Sequence, residues 1–214
     1  ADPATGLVPT GVFETGANRK TMFRDACNTE YQYLKTDLSA AKQLLSEAGI
    51  IPGKYSFTLT YAAYDEVHTA IAEAVVKAWK ELGFHVELNK RGTIANNDYY
   101  KYTDSVPLDL CDDLYAEDLR NGTYEAILLD CVATSVDPFS VLAPFAKGFS
   151  GMGMDMSTPG VYEIPTHMTG YDKQTYNELI EAIFAEKDIA ARADKLREAE
   201  SILMNDLPVI PLIF

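Results

Sequence analysis

The sequence predicts an α/β fold, a mixed sheet flanked by helices, and three patterns predict it. Residues 38–48, 67–82, 176–184 and 196–203 carry apolar groups three and four apart, the stripe of an amphipathic helix. Residues 55–61 and 84–88 alternate apolar with polar groups, the mark of a strand with one buried face. Helix, strand, helix and strand then follow one another with short links, an order that lays parallel or mixed strands beside crossover helices.

Taken in order, residues 1–36 are broken by Pro3, Gly6, Pro9, Gly11 and Gly16 and read as an irregular linker or wrapping arm. Residues 37–214 read as one α/β body. Its first helix starts after Thr36 or Asp37 as N-cap and stops at Gly49, with Leu38, Ala41, Leu44, Leu45 and Ala48 on one stripe. Pro52-Gly53 turns the chain into the strand 55–61, and the helix that follows carries Val67, Ile71, Ala74, Val75, Ala78, Trp79 and Leu82 before Gly83 closes it. Residues 93–110 are rich in Asn, Asp and Tyr and predict a loop; a helix over 112–120 ends before Gly122. Residues 124–132 are mostly apolar, with Glu125 and Asp130 near the ends, and read as a central strand covered on both faces. Asp137-Pro138 starts a short helix running to Ala146, and residues 148–160, rich in Gly and Met, read as a loop. Asp172 and Asp188 cap the last two helices, and residues 206–214 form a terminal apolar strand paired inside the sheet.

Of the 214 residues, 32 are acidic and 18 basic, a formal charge of −14. Neutralising phosphates needs clustered Lys and Arg, and no such cluster stands here, so no nucleic-acid partner is expected. No apolar run is long enough to span a bilayer. Cys27, Cys111 and Cys131 cannot all pair, and none sits in a zinc or CxxC spacing.

Catalytic signatures are missing: there is no GxSxG, HExxH, P-loop or GxGxxG, and His68, His85 and His167 share no ligand spacing. No enzyme and no cofactor are expected. The acidic run Asp104, Asp109, Asp112, Asp113, Glu117 and Asp118 lacks the twelve-residue calcium pattern and reads as a solvated helix start. Met152, Met154, Met156 and Met168 have the thioethers that suit Cu(I) but read first as a pliable apolar loop. Tyrosines near strand ends and in loops (Tyr61, Tyr64, Tyr99, Tyr100, Tyr102, Tyr115) offer an apolar body with a hydroxyl handle; core packing accounts for most of them.

The ordered set of these pieces resembles a known family. The pieces are "DLSAAKQLLSEAG" from Asp37, "AVVKAWKELGFHVEL" from Ala74, Gly122-Thr123-Tyr124-Glu125-Ala126, Asp137-Pro138, Thr169-Gly170-Tyr171-Asp172 and "REAESILMNDLPVIPL" from Arg197. Together they are similar to the second lobe of the extracytoplasmic oligopeptide- and dipeptide-binding proteins of ABC importers. The resemblance implies one lobe of a two-lobed, periplasmic-binding-protein-like fold that closes over a peptide or other small solute. It also implies partners, namely the N-terminal lobe of the same parent chain and the permease subunits of the transporter. The setting it implies is extracytoplasmic, in the periplasm or lipid-anchored at the outer face of the membrane. A lobe by itself is expected to bind weakly, because about half of the burial that drives small-ligand affinity is gone.

The same resemblance places the cleft wall at Asp130, Cys131, Val132 and Thr134, with Tyr61 and Ser135 behind them. Thr134 stands where peptide binders of the family carry the acid that receives a ligand's amino terminus, and Cys131 where they often carry Trp. A hydroxyl supplies no compensating charge, so Asp130, Asp137 or the other lobe is left to take the amine. Two other readings stand beside this one: the same fold holding a nickel or other metal complex, and a small hydrolase using Asp137 or the acidic run.

Overall fold

The structure, a computed structural model, describes residues 2–14, 21–27, 31, 34–63, 65–91, 114–129, 132–133, 135–149, 152–153 and 170–214. The chain divides into two compact units. One comprises Asp37–Asp130 with Met156–Val161, and the other Ala1–Thr36 with Cys131–Asp155 and Tyr162–Phe214.

In the 37–130 unit, helix α2 (Leu38–Glu47) begins on Asp37, whose carboxylate accepts the Ala40 amide. Strand β1 (Ser56–Ala62) leads into helix α3 (Glu66–Leu82), which Asp65 caps by accepting the Val67 and His68 amides. Gly83, at φ 100°, ends α3 in the left-handed region that a side chain would resist. Strand β2 (His85–Arg91) then runs parallel to β1, with Phe57 beside Val86 and Leu59 beside Leu88. Helix α4 (Leu114–Asn121) precedes a two-residue strand β3 (Ala126–Ile127), parallel to β1 on its other side, so the order is β2-β1-β3.

The central strand is therefore β1, where the sequence points to residues 124–132. Long apolar composition favoured that segment, yet only Ala126 and Ile127 join the sheet, at its edge among the described residues. β1 shows its central position in its burial, since Thr60 and Ala62 are as buried as Leu59 and Tyr61. One face packs Leu59, Tyr61 and Val86 against Ala72 and Val76 of α3, with Phe57 edge-on to Trp79 at 5.2 Å. On the other face Arg91 reaches Asp118 of α4 at 2.6 Å, and Tyr115 donates to the Leu128 carbonyl at 2.6 Å.

The second unit is built on helices α5 (Phe139–Leu142), α6 (Gln174–Ala185) and α7 (Ile189–Asp206), with α5 and α6 packed on α7. Asp188 caps α7 by accepting the Ala191 amide. Val8, Val12 and Phe23 are buried, Phe23 within the short helix α1 (Phe23–Ala26). Residues 206–214 form no core strand: Ile213 makes only an isolated antiparallel bridge with Pro3, and Ile210, Leu212 and Ile213 stay exposed. Pro208 and Pro211 remove the amides a ladder needs, which limits pairing to Ala4 with Leu212 and Asp2 with Phe214.

Candidate functional site

Of the predicted cleft residues, Asp130, Cys131 and Thr134 lie outside the described residues, as do His167, Met154, Met156, Met168, Asp104, Asp109, Asp112, Asp113, Cys111, Tyr64, Tyr99, Tyr100 and Tyr102. Val132 opens strand β4 (Val132–Ala133), which pairs antiparallel with β5 (Met152–Gly153), Val132 opposite Gly153. The methionine-rich stretch thus contributes Met152 and Gly153 to a ladder. Ser135 is exposed, and its hydroxyl accepts the Asp137 amide at 2.9 Å.

Asp137 is already engaged. Its Oδ1 accepts the Phe139 amide at 2.9 Å at the start of α5, while Arg192 on α7 donates to Oδ2 at 2.9 Å. The guanidinium also lies 5.6 Å from the Phe139 ring centre, close enough for a cation–π contact. Phe139, Phe149 and Phe184 form an aromatic cluster with centroids 5.7 to 6.0 Å apart, Phe149 edge-on to the other two. The turn after β4 is thereby fixed by a carboxylate, a hydroxyl and an arginine from a distant helix. Asp137 is thus held by contacts within its own unit.

Tyr61 belongs to the other unit. It is fully buried in the core against α3, and its hydroxyl finds no hydrogen-bond partner among the described residues. Tyr115 serves the core, since that ring is buried and its hydroxyl donates to the Leu128 carbonyl. Asp118 is likewise structural, held by Arg91 and by the Thr123 hydroxyl at 2.7 Å. Among the described residues no group of His, Cys, Asp and Glu is arranged to hold a metal.

A buried polar centre escaped the sequence reading. Glu200 of α7 is fully buried; Oε1 accepts the amides of Leu7 at 2.9 Å and Val8 at 2.8 Å, and Oε2 pairs with Arg24. Gly6 makes room, because any Cβ there would collide with the Arg24 guanidinium. Cys27 lies close by, its thiol pushed up to about 11 by burial and then by the Glu200 charge. The available signal was an acidic residue on the apolar stripe of Leu196, Ala199 and Leu203.

Comparison with known proteins gives this geometry its class. The OppA structure from Haemophilus influenzae in complex with RPPGFSPFR superimposes with a TM-score of 0.69 at 18% identity, covering all of this chain and 34% of that one. The unliganded, open MppA murein tripeptide-binding protein superimposes with a TM-score of 0.62 at 22% identity, again over about a third of its length. The fold is that of a portion of a periplasmic binding protein. Residues 1–153 match the family described as bacterial extracellular solute-binding proteins, family 5 middle, and the chain belongs to that family. Among curated relatives, the oligopeptide-binding protein OppA of Bacillus subtilis is 26% identical over 99% of this chain and 32% of its own length. The dipeptide-binding protein DppE of the same organism is 28% identical over 85% of this chain and 28% of its own. The chain thus spans about a third of the relatives it matches.

Proposed function

We propose that this chain is part of the substrate-binding component of an ABC importer and captures oligopeptides or dipeptides between two lobes, of which it supplies one. The observation that carries the reading is the 26% identity to an oligopeptide-binding protein along essentially the whole chain. The sheet order supports it: β1 has its crossover partner β2 on one side and β3 on the other, and α/β sheets take ligands where connections diverge at the carboxyl ends of such strands. The stretch 130–135 follows β3 directly. In this reading Asp130, Cys131, Val132, Thr134 and Ser135 form the cleft wall, pairing with an extended peptide through main-chain groups while side-chain pockets select. Tyr61 buttresses its own sheet from the core. The binding role is non-enzymatic, and the parent protein works outside the cytoplasm, delivering its solute to the membrane subunits of the transporter.

Saturation-transfer NMR on a mixture of short peptides, a disaccharide and a nickel–histidine complex tests the solute class. Transfer to the peptides alone is the expected result. Transfer only to the sugar or to the metal complex would replace the peptide reading with another cargo on the same fold.

A further inference from the structure

The chain contains one Asn-Gly step, Asn121-Gly122, and the fold places it at the exit of α4. Gly122, at φ 65°, sits in the left-handed region; its amide donates to the Leu119 carbonyl at 3.4 Å, and the Thr123 amide donates to the Asp118 carbonyl at 3.0 Å. These are the two bonds that close a helix in a Schellman motif, with Asn121 as the C-cap and Gly122 just beyond it. The Thr123 hydroxyl fastens the turn by donating to the Asp118 carboxylate at 2.7 Å. Asn121, Gly122 and Thr123 are all exposed, and a Cβ added at Gly122 would meet nothing within 4 Å. The asparagine amide and the backbone nitrogen that follows it thus meet at the surface, with open space over the glycine.

We propose that Asn121 is a site of spontaneous covalent modification: it deamidates through a succinimide, at a rate set by the opening of the α4 cap. The Gly122 nitrogen, its proton given up to solvent, attacks Asn121 Cγ; the new carbon–nitrogen bond closes the ring, the Cγ–Nδ2 bond breaks, and the amide nitrogen takes up a proton and leaves as ammonia. Water then opens the ring at either carbonyl and yields aspartate or isoaspartate, with no oxidant, reductant or cofactor. Glycine permits the attack because it has no Cβ to crowd it. While the Gly122 N–H donates to Leu119 it keeps its proton, so the reaction runs through molecules in which the last turn of α4 has opened, a low-cost event at an exposed helix end. Neither product fits the cap. Isoaspartate adds a carbon to the backbone at position 121, and both products put a carboxylate at the helix C-terminus, where the dipole disfavours it. Since α4 is tied to its sheet through Asp118 and Tyr115, the change loosens the link from α4 to β3.

The test is peptide mapping by mass spectrometry of the 214-residue chain aged in mildly alkaline buffer, folded and in urea, beside the Asn121→Gln and Thr123→Val variants. In the folded chain Asn121 should convert before any other asparagine, with isoaspartate the larger product, and Asn121→Gln should leave that peptide unchanged. Thr123→Val removes the hydroxyl that holds Asp118, so the cap opens more often and conversion should run about fivefold faster than in the parent chain. In urea, where no cap remains, the parent and Thr123→Val chains should convert at one common rate, faster than either does folded. An intact Asn121 beside another converted asparagine overturns the site. Equal rates for the two folded chains, or a difference between them that persists in urea, overturns control by the cap.

Discussion

At the scale of single residues, Glu200 and Arg24 illustrate how much one buried pair organises. Their side chains are 0% and 9% exposed, and the same carboxylate holds two backbone amides of the N-terminal segment. Replacing one partner leaves the other charge buried and uncompensated, which costs several kcal/mol even where the intact pair adds little. Glu200→Gln should therefore destabilise the protein by about 3–5 kcal/mol, read as a fall in the urea midpoint. Cys27 gives a second residue-scale prediction. With its thiol raised to about 11, chiefly by burial, it is almost entirely protonated near neutrality and only the thiolate attacks. In a variant with Cys111 and Cys131 changed to Ser, Cys27 should react with a disulfide reagent at pH 8 far more slowly than after unfolding in urea. Neither residue's setting was legible in the sequence, because Glu200, Arg24 and Cys27 meet only through packing across more than 170 positions.

At the scale of elements, the sequence reads best where the signal is local. Asp37 and Asp188 cap helices where the sequence places them, whereas Asp172 does not cap α6, whose N-cap is Lys173 with no side-chain hydrogen bond; the helix periods of α2, α3, α6 and α7 correspond to real helices. Burial is less local. Leu44 sits on the predicted apolar stripe of α2 yet is 62% exposed, whereas Leu196 of α7 is completely buried. Leu196→Ala should cost about 2–5 kcal/mol in urea unfolding, and Leu44→Ala less than about 0.5. The strand errors have the same origin. Residues 124–132 and 206–214 are apolar enough for a core strand, but strand rank depends on which neighbours supply hydrogen bonds, and Pro208 and Pro211 remove donors from the second segment.

At the scale of the whole molecule, surface carboxylates set the acid limit. Lys195 holds Glu186 down at about 2, first through its hydrogen bond, and Lys173 with Tyr171 lowers Asp206 below its usual range. A carboxylate with a depressed folded-state pKa adds stability that is present above its unfolded value near 4.5 and lost as the pH falls toward 2. The melting temperature should therefore drop between about pH 5 and pH 2, and Lys195→Met should shrink that drop modestly, since both groups are exposed. The family was legible at this scale in the order of the pieces rather than in any one motif, whereas the proposed site was reached only through the resemblance, as the stretch 130–135, because a cleft wall is defined by what faces it. The most direct test of peptide capture is a backbone amide NMR titration of the chain with a short peptide. The account predicts saturable shifts concentrated at residues 130–135 with a dissociation constant in roughly the millimolar range, as a half-site should give. Shifts confined to other residues, or micromolar binding by this chain alone, would contradict it.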